Sequence, residues 1–296
     1  MPALVIVNPA AGNGRARSLV RDHRAQLGGG EVVETTGPGH ATSLAASAAS
    51  AGYERVIAIG GDGTVFEVVN GLLSAPGPIL GVVPAGSGND LARSLHLGTA
   101  PERTLRVAVT GTPRVIDVAR ATAGDGSVAM FASAAGVGFD GQVAEVMHRA
   151  KPGWPRSKLG YLLATLRELR RFHNRRLEVV LDSAPSLDAT VLFVAITNGA
   201  YYGGGMRICP DAAVDDGLLD ICLVGDISRL AALWQIPGLY RGRHVRHPAV
   251  RMLRARSVEL REMDERGETR THLDGEPFGP LPLRIEALPA ALSVAT

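Results

Sequence analysis

The chain has 296 residues, of which 46% are hydrophobic and 4% aromatic, and its formal net charge is +2. This length allows two domains with separate cores, and a charge so close to zero argues against a protein that mainly coats nucleic acid. Cys209 and Cys222 fit neither a disulfide framework nor a metal-ligand motif. No signal peptide and no membrane-spanning apolar run is visible, so we expect a cytoplasmic protein.

The first 119 residues alternate apolar, β-branched runs with helical patterns. The predicted strands are Ala3–Val7, Glu31–Thr35, Arg55–Ile59 and Leu80–Pro84, and the sequence pattern changes after Val115–Ala119. Helical patterns cover 15–27 and 41–51, and two more begin near Val65 and Leu91. Strands that alternate with helices predict a parallel sheet with helices on both faces, and therefore an N-terminal α/β domain over residues 1–119.

Three of these strands run directly into glycine-rich loops, which are Asn8–Gly14, Gly60–Thr64 and Ala85–Asp90. Loops at the carboxyl ends of parallel strands converge on one crevice, where free N–H groups and helix N-termini can hold phosphate. The Asp62 carboxylate would repel phosphate unless a divalent cation lay between the acid and the phosphate, so we predict a nucleotide–metal site. The alternative for a single loop is a tight strand-to-helix turn, and Asp90 could instead cap the helix that follows it.

The loops match neither of the two common nucleotide fingerprints. The chain has no G-x-x-x-x-G-K-[ST] sequence, which argues against a P-loop ATPase. Gly12-Asn13-Gly14 and Gly86-Ser87-Gly88 each begin a G-x-G, but Arg17 and Leu91 stand where a third small residue is needed. A dinucleotide-binding Rossmann site is therefore not supported.

The sequence pattern changes after residue 119, and residues 120–284 predict a second, β-rich domain. Short apolar runs punctuated by Gly, Pro and Asp indicate antiparallel strands. They are Val128–Ala135, Leu177–Leu181, Thr190–Thr197, Leu218–Val224 and Val258–Leu260. Two helical patterns, at about 157–172 and 228–240, interrupt them, and the C-terminal tail 285–296 closes this domain or returns to the first.

The ordered set of motifs resembles the diacylglycerol kinase catalytic-domain family, which includes soluble bacterial lipid kinases and has an NAD kinase-like fold. The resemblance covers nearly the whole chain. In the first domain it is carried by Asn8-Pro9-Ala10-Ala11-Gly12, Gly60-Gly61-Asp62-Gly63-Thr64 with Glu67, and Pro84–Asp90. In the second it is carried by Gly136-Val-Gly-Phe-Asp140, Thr197–Gly205, Pro210–Asp220 and Leu273-Asp274-Gly275-Glu276.

The resemblance implies an N-terminal α/β domain that binds ATP and a C-terminal β-sandwich-like domain that binds a lipid substrate. The implied activity is transfer of the γ-phosphoryl group of ATP to a hydroxyl of diacylglycerol or a related lipid. Asp62 and Asp90 would hold the catalytic Mg²⁺ directly or through water. The implied nucleotide-binding residues are Asn8, Pro9, Ala10, Ala11, Gly12, Thr35, Gly61, Asp62, Gly63, Thr64, Val65, Phe66, Glu67, Ser87 and Asp90.

The Asp274-Gly275-Glu276 segment resembles the family's catalytic motif. A carboxylate within hydrogen-bond reach of a lipid hydroxyl can accept its proton during transfer. We predict Glu276 as the base, with Asp274 orienting it, binding metal or itself acting as the base. The alternative is an ordinary β-turn with two solvated acids, because Asp-Gly is common in turns.

An acidic segment that ends at Gly217 suggests a second, structural Mg²⁺ site. By resemblance, its ligands would be the Asp216 carboxylate and the main-chain carbonyls of Ala213 and Leu218, in keeping with the oxygen ligands that Mg²⁺ prefers. An exposed acidic hairpin turn explains the same residues without metal.

Residues 157–172 place leucines on one helical face with Arg and Lys around them. Such a helix can lie on an anionic membrane, which would make the protein peripheral at the inner face. The alternative is a helix that packs its leucines inside the domain.

An exposed β edge in the second domain could also pair two copies as a homodimer.

Two other functions compete with a lipid kinase. An NAD kinase, or another small-molecule kinase of the superfamily, would be expected to carry an Asn-Glu pair where this chain has Thr197-Asn198-Gly199. A non-catalytic nucleotide or lipid sensor would not need the acids Asp62, Asp90, Asp274 and Glu276. The lack of an Asn-Glu pair at this position and the presence of the four acids favour the lipid kinase.

Overall fold

The computed structural model describes residues 2–75, 77–149, 165–264 and 269–296, without the side chains of Arg229 and Leu230. The chain forms two compact units, and residues Met1–Val118 with Pro289–Thr296 form unit 1. Residues Ala119–Leu288 form unit 2. Within the described ranges, no helix is long and apolar enough to cross a bilayer.

The strands and helices alternate in unit 1, whereas strands predominate in unit 2. The helices are α1 (Arg15–Asp22), α2 (His40–Ala48), α3 (Asp62–Ser74), α4 (Asp90–Ser94), α5 (Pro101–Thr110), α6 (Phe139–His148) and α7 (Arg229–Leu239). Short 3₁₀ helices cover Arg24–Leu27 and Arg243–Arg246. The strands are β1 (Ala3–Val7), β2 (Glu31–Glu34), β3 (Arg55–Gly60), β4 (Ile79–Pro84), β5 (Pro113–Thr122), β6 (Val128–Phe131), β7 (Ala134–Gly138), β8 (Arg175–Leu181), β9 (Leu187–Thr197), β10 (Leu219–Gly225), β11 (Val250–Ala255), β12 (Ser257–Glu262), β13 (Thr271–Leu273), β14 (Glu276–Pro277) and β15 (Leu283–Ala295).

Unit 1 contains a parallel sheet in the order β2-β1-β3-β4. Every residue of β1 and β3 is buried, as expected for parallel strands that are covered on both faces. Helix α2 packs on α3, and α5 packs on β4. The parallel α/β domain predicted from the alternating pattern is therefore what the structure shows.

The C-terminal residues of β15 complete unit 1. Val294 pairs with Leu80 of β4 in parallel, and Thr296 exchanges two main-chain hydrogen bonds with Thr112. Because these residues extend the sheet, the first unit is built from both ends of the chain.

Unit 2 is dominated by antiparallel pairs, in the order β14-β13-β7-β9-β8-β12, with β10 between β9 and β11. Its core contains Phe139, Val143, Phe193, Ile208 and Cys222, among other residues. The predicted β-sandwich-like domain is confirmed, and helix α6 is an addition that the sequence pattern did not predict.

The run Val128–Ala135, predicted as one strand, is two strands interrupted at Ala132 and Ser133. The main-chain N–H groups of Ala132, Ser133 and Ala134 donate to the Asp274 carboxylate instead of to a neighbouring strand. The residue that causes the interruption, Asp274, lies about 140 residues further along the chain. The periodicity of the sequence around residue 132 therefore could not predict it.

The proposed membrane helix at 157–172 lies partly outside the described residues, which resume at Thr165. Two apolar residues of its described end, Leu169 and Phe172, are buried in the core of unit 2. Phe172 lies edge-on to Phe139, with ring centroids 5.3 Å apart. These two side chains therefore face the domain and not a bilayer.

Candidate functional site

The three glycine loops of unit 1 lie against one another. The Asn8 side-chain amide donates to the Thr64 hydroxyl at 3.2 Å, which joins the first loop to the second. The N–H groups of Ala85 and Gly86 donate to the carbonyl of Gly60, which joins the third loop to the second. Gly12 has a φ of +59°, and a methyl group there would overlap with the carbonyl oxygen of Ala85. Glycine at this position therefore allows the first and third loops to touch.

The carboxylate of Asp62 ties the second loop to the third. Its oxygens accept hydrogen bonds from the N–H groups of Asn89 and Asp90, both at 2.8 Å. Gly88 lies so close to Asp62 that any side chain there would overlap with the carboxylate. Burial raises the pKa of Asp62, and the hydrogen bonds from Asp90 and Asn89 oppose that rise. A carboxylate that is buried in this way is stabilised when a cation binds beside it.

The carboxylates of Asp62 and Asp90 would supply two of the ligands of a divalent cation, which is less than a complete set. Asp90 is buried and begins α4, while Asn89 is the residue that precedes that helix. In the described ranges, His, Cys, Asp and Glu side chains form no group of three or more with metal-binding spacing. Two carboxylates suit a cation such as Mg²⁺, which usually completes its octahedron with water and substrate phosphates.

The other predicted nucleotide-binding residues differ in their exposure. Ala10 and Ser87 are exposed on their loops, whereas Val65 is buried on α3. The Glu67 carboxylate accepts a hydrogen bond from the N–H of Ala41, in the first turn of α2. Its observed contact is therefore structural, and its contact with a nucleotide stays a prediction.

In unit 2, Asp274 and Gly275 form a two-residue hairpin turn between β13 and β14. Both residues have positive φ, at 48° and 89°, as Asp-Gly hairpin turns require. The Asp274 carboxylate accepts hydrogen bonds from the N–H groups of Ala132, Ser133 and Ala134, at 3.2, 3.1 and 2.7 Å. Asp274 thus anchors the turn to the start of β7.

Glu276 follows the same turn but has a different environment. Its side chain is 41% exposed, and its carboxylate lies 3.3 Å from Nδ1 of His148, at the end of α6. Both predicted catalytic acids are partly buried. They differ in that Asp274 accepts main-chain hydrogen bonds, whereas Glu276 lies beside His148.

A buried polar network lies beneath this turn and was missed in the sequence. His272 accepts a hydrogen bond from the N–H of Gly275 at Nδ1, so its ring proton is on Nε2. That nitrogen faces the Asp140 carboxylate at 3.4 Å. Tyr202 donates its hydroxyl proton to the same carboxylate at 3.0 Å and stacks on the imidazole.

The network connects three motifs that are far apart in the sequence, and all three side chains are at least nine-tenths buried. Asp140 ends the Gly136–Asp140 motif, Tyr202 lies in Thr197–Gly205, and His272 precedes Leu273. A histidine directly before a candidate catalytic segment was a usable signal. Its partners, however, could be identified only from the fold.

The candidate structural Mg²⁺ ligand Asp216 already has a cationic partner. Arg254 forms ion pairs with Asp216 and with Asp220, the latter at 3.2 Å. Burial raises the pKa of Asp220 to about 6 although Arg254 opposes the rise. The Asp216 carboxylate also accepts from the N–H of Leu218 at 3.1 Å. A metal ion at this turn stays a prediction, and it would share Asp216 with a guanidinium.

Comparison with known proteins agrees with this division of the chain. Residues 2–121 match the family model described as the diacylglycerol kinase catalytic domain. Residues 133–296 match the model described as the YegS C-terminal NAD kinase beta sandwich-like domain. Together the two matches include the glycine loops and the Asp274–Glu276 turn.

Individual relatives are similar over nearly their full length. The chain is 35% identical to a "Diacylglycerol kinase" of Mycobacterium tuberculosis (strain ATCC 25618 / H37Rv), over 98% of this chain and 93% of that protein. It is 31% identical to a "Probable lipid kinase YegS-like" of Serratia proteamaculans (strain 568), over 98% and 92%. A crystal structure of a diacylglycerol kinase from Bacillus anthracis str. Sterne has the same fold, with a TM-score of 0.74, 23% identity, and coverage of 99% and 96%.

The glycine loops of unit 1, the anchored acidic turn of unit 2 and these matches lead to one assignment. The chain belongs to the diacylglycerol kinase family, with a diacylglycerol kinase catalytic domain followed by a YegS-type β-sandwich domain.

Proposed function

We propose that this protein is an ATP-dependent lipid kinase that phosphorylates a hydroxyl of diacylglycerol or of a related lipid. The observation that carries the proposal is the assembly of three glycine loops in unit 1, in which N–H groups of the third loop bind the Asp62 carboxylate of the second. The relatives named diacylglycerol kinase and lipid kinase support a lipid acceptor.

In the proposed reaction, the N–H groups and hydroxyls of the glycine loops hold the phosphates of ATP. Asp62 and Asp90 are the residues that would hold Mg²⁺, which when bound neutralises charge on the transferring phosphoryl group. The bond between the γ-phosphorus and its bridging oxygen breaks, a bond from the acceptor oxygen to that phosphorus forms, and ADP leaves.

Glu276 accepts the proton of the acceptor hydroxyl in this proposal. Its carboxylate is half-exposed, so it can approach a substrate oxygen. Asp274 holds the turn in place, because three main-chain N–H groups already occupy its carboxylate. This division of roles supports Glu276 over Asp274 as the base.

Incubation with labelled ATP, Mg²⁺ and a total lipid extract, followed by separation of the products, tests the proposal. We expect a labelled phospholipid that appears with wild-type protein and is nearly absent with Asp62→Asn. Labelled NADP from added NAD, without labelled lipid, would establish the small-molecule kinase instead. ATP binding with no labelled product in either assay would favour a sensor.

A further inference from the structure

An unusually basic segment lies in unit 2, apart from the residues considered above as a membrane helix. Residues 227–258 contain seven arginines and no aspartate or glutamate, in a chain whose formal net charge is only +2. The segment covers α7, the 3₁₀ helix Arg243–Arg246 and the edge strand β11. The segment by itself therefore carries more net positive charge than the whole chain.

Helix α7 exposes an aromatic side chain to solvent. Its residues Ala231, Ala232 and Leu239 pack against the core of unit 2. Trp234 faces away and is 84% exposed, more than any other large hydrophobic residue described. Tyr240, at the end of the helix, is 43% exposed. Tryptophan and tyrosine combine an apolar ring with a polar group, and they favour membrane–water interfaces.

Arginines follow these aromatic residues directly. Arg241, Arg243 and Arg246 are exposed, and within the described parts of the chain none of them forms an ion pair. The turn that carries them is fixed by His244, which is buried and lies 2.9 Å from the carbonyl oxygen of Ile208 through Nε2. The positive charges are therefore held on an ordered turn beside the exposed rings.

We propose that Trp234, Tyr240, Arg241, Arg243 and Arg246, the aromatic–arginine surface, dock this protein on an anionic lipid bilayer. The rings would insert at the level of the headgroups, while the guanidinium groups would contact lipid phosphates. A two-fold contact between copies of this surface would bring arginines against arginines without an acidic partner, which disfavours a dimer here.

The proposal rests on the lipid-kinase function for its purpose, because a lipid kinase must reach an acceptor that resides in a bilayer. Its test does not depend on that function, since binding can be measured without ATP. The chain contains two tryptophans, so Trp154→Phe leaves Trp234 as the only indole reporter.

The experiment measures Trp234 fluorescence of the Trp154→Phe protein with vesicles of phosphatidylcholine, and with vesicles that also contain phosphatidylglycerol. We expect a blue shift with the anionic vesicles, quenching by brominated lipid, and weaker binding at high salt. The triple variant Arg241→Gln/Arg243→Gln/Arg246→Gln should bind on the order of 100-fold more weakly. Trp234→Ala, followed by co-sedimentation, should also weaken binding.

The matched control removes three exposed arginines from unit 1, with the changes Arg24→Gln, Arg103→Gln and Arg106→Gln. If this control loses as much affinity as the triple variant of the surface, only net charge matters and the proposed surface is wrong. Three other results would also overturn the proposed surface. They are Trp234 emission that does not shift on anionic vesicles, a dimer that Trp234→Ala abolishes, and tighter binding to nucleic acid than to vesicles.

Turnover separates this proposal from the proposed function. With a water-soluble short-chain diacylglycerol, the surface variants should match wild type, whereas with diacylglycerol in anionic vesicles they should be slower. Wild-type protein that binds vesicles through Trp234 but phosphorylates no lipid would refute the kinase function and leave the docking surface intact.

Discussion

At the scale of single residues, Asp274 and Glu276 flank one glycine but have different surroundings. Three main-chain N–H groups surround the Asp274 carboxylate, whereas Glu276 has one described ionic contact, with His148. Hydrogen bonds to the charged form stabilise a carboxylate and occupy its lone pairs. The anchored acid is therefore suited to hold the turn, and the half-exposed one to accept a proton.

The two acids should respond differently to replacement by their amides. We expect Glu276→Gln to lower kcat by about 10²–10⁴-fold, the usual contribution of a general base, with an unchanged melting temperature. Asp274→Asn should instead destabilise the protein by about 1.5–3 kcal/mol, because charge-assisted hydrogen bonds are lost. Kinetics and thermal unfolding of both variants test this, and an active Glu276→Gln with an inactive but fully stable Asp274→Asn would reverse the roles.

His272 should affect the turn through only one of its two nitrogens. Asn can imitate Nδ1, which accepts from Gly275, and Gln can imitate Nε2, which faces Asp140. We expect both variants to lose about 1–3 kcal/mol of stability and His272→Asn to keep more of the turnover. The measurement compares kcat with unfolding free energy, and equal kcat losses in both variants would show that His272 serves stability alone.

A metal ion at Asp216 should raise the melting temperature of the protein and should not take part in phosphoryl transfer. If the predicted structural Mg²⁺ binds there, added Mg²⁺ raises the melting temperature of wild type and of Asp62→Asn but not of Asp216→Ala. Thermal scans with and without MgCl₂ provide the measurement. An Asp216→Ala protein that Mg²⁺ still stabilises fully would show that the stabilising ion does not bind through Asp216.

At the scale of elements, distant side chains decide where strands and turns stop. The Asp274 carboxylate replaces ladder partners at Ala132 and Ser133, so β6 and β7 are separate strands. Between α7 and β11, a 3₁₀ helix is fixed because His244 contacts the carbonyl of Ile208. In both places one polar side chain sets the path of the main chain.

His244 should make the stability of this second element depend on pH. Burial lowers its pKa in the folded protein, and the hydrogen bond to Ile208 only partly opposes that shift. The unfolded chain then binds the proton more tightly, so stability is complete above about pH 6.5 and falls as the pH drops below it. The loss reaches at most about 1.4 kcal/mol for each unit by which the two pKa values differ.

Urea unfolding between pH 5 and 8 tests this, with His244→Gln as the variant that keeps a donor but does not titrate in that range. We expect a smaller loss of unfolding free energy in the variant as the pH falls. Parallel pH profiles for wild type and His244→Gln would mean that other groups cause the dependence.

At the scale of the whole molecule, the first unit depends on the last residues of the chain. Leu292 and Val294 are buried in the segment that pairs with β4, and the Asp117 carboxylate accepts from the N–H of Ala290 at 2.8 Å. The folding of this α/β unit is thus coupled to residues made after the whole of unit 2.

Deletion of residues 289–296 should therefore destabilise unit 1. Burying Leu292 and Val294 contributes about 3–6 kcal/mol, so we expect a lower melting temperature and faster amide exchange in β4 and α5. Hydrogen exchange followed by mass spectrometry locates the effect. Faster exchange confined to unit 2 would contradict the prediction.

The sequence by itself determined the family and the alternation of strands and helices that makes unit 1 a parallel α/β domain, although it did not predict α5. It also singled out the acids Asp62, Asp90, Asp274 and Glu276, whose roles stay predictions. It could do so because burial periodicity and glycine-rich turns are local properties of the chain. The tertiary structure alone decided that Asp274 anchors β7, that His272 joins Asp140 and Tyr202, and that Arg254 pairs with Asp216. Each of these depends on contacts between residues 38 to 142 positions apart, and a hydrogen bond or ion pair at such a separation leaves no periodic trace in the sequence.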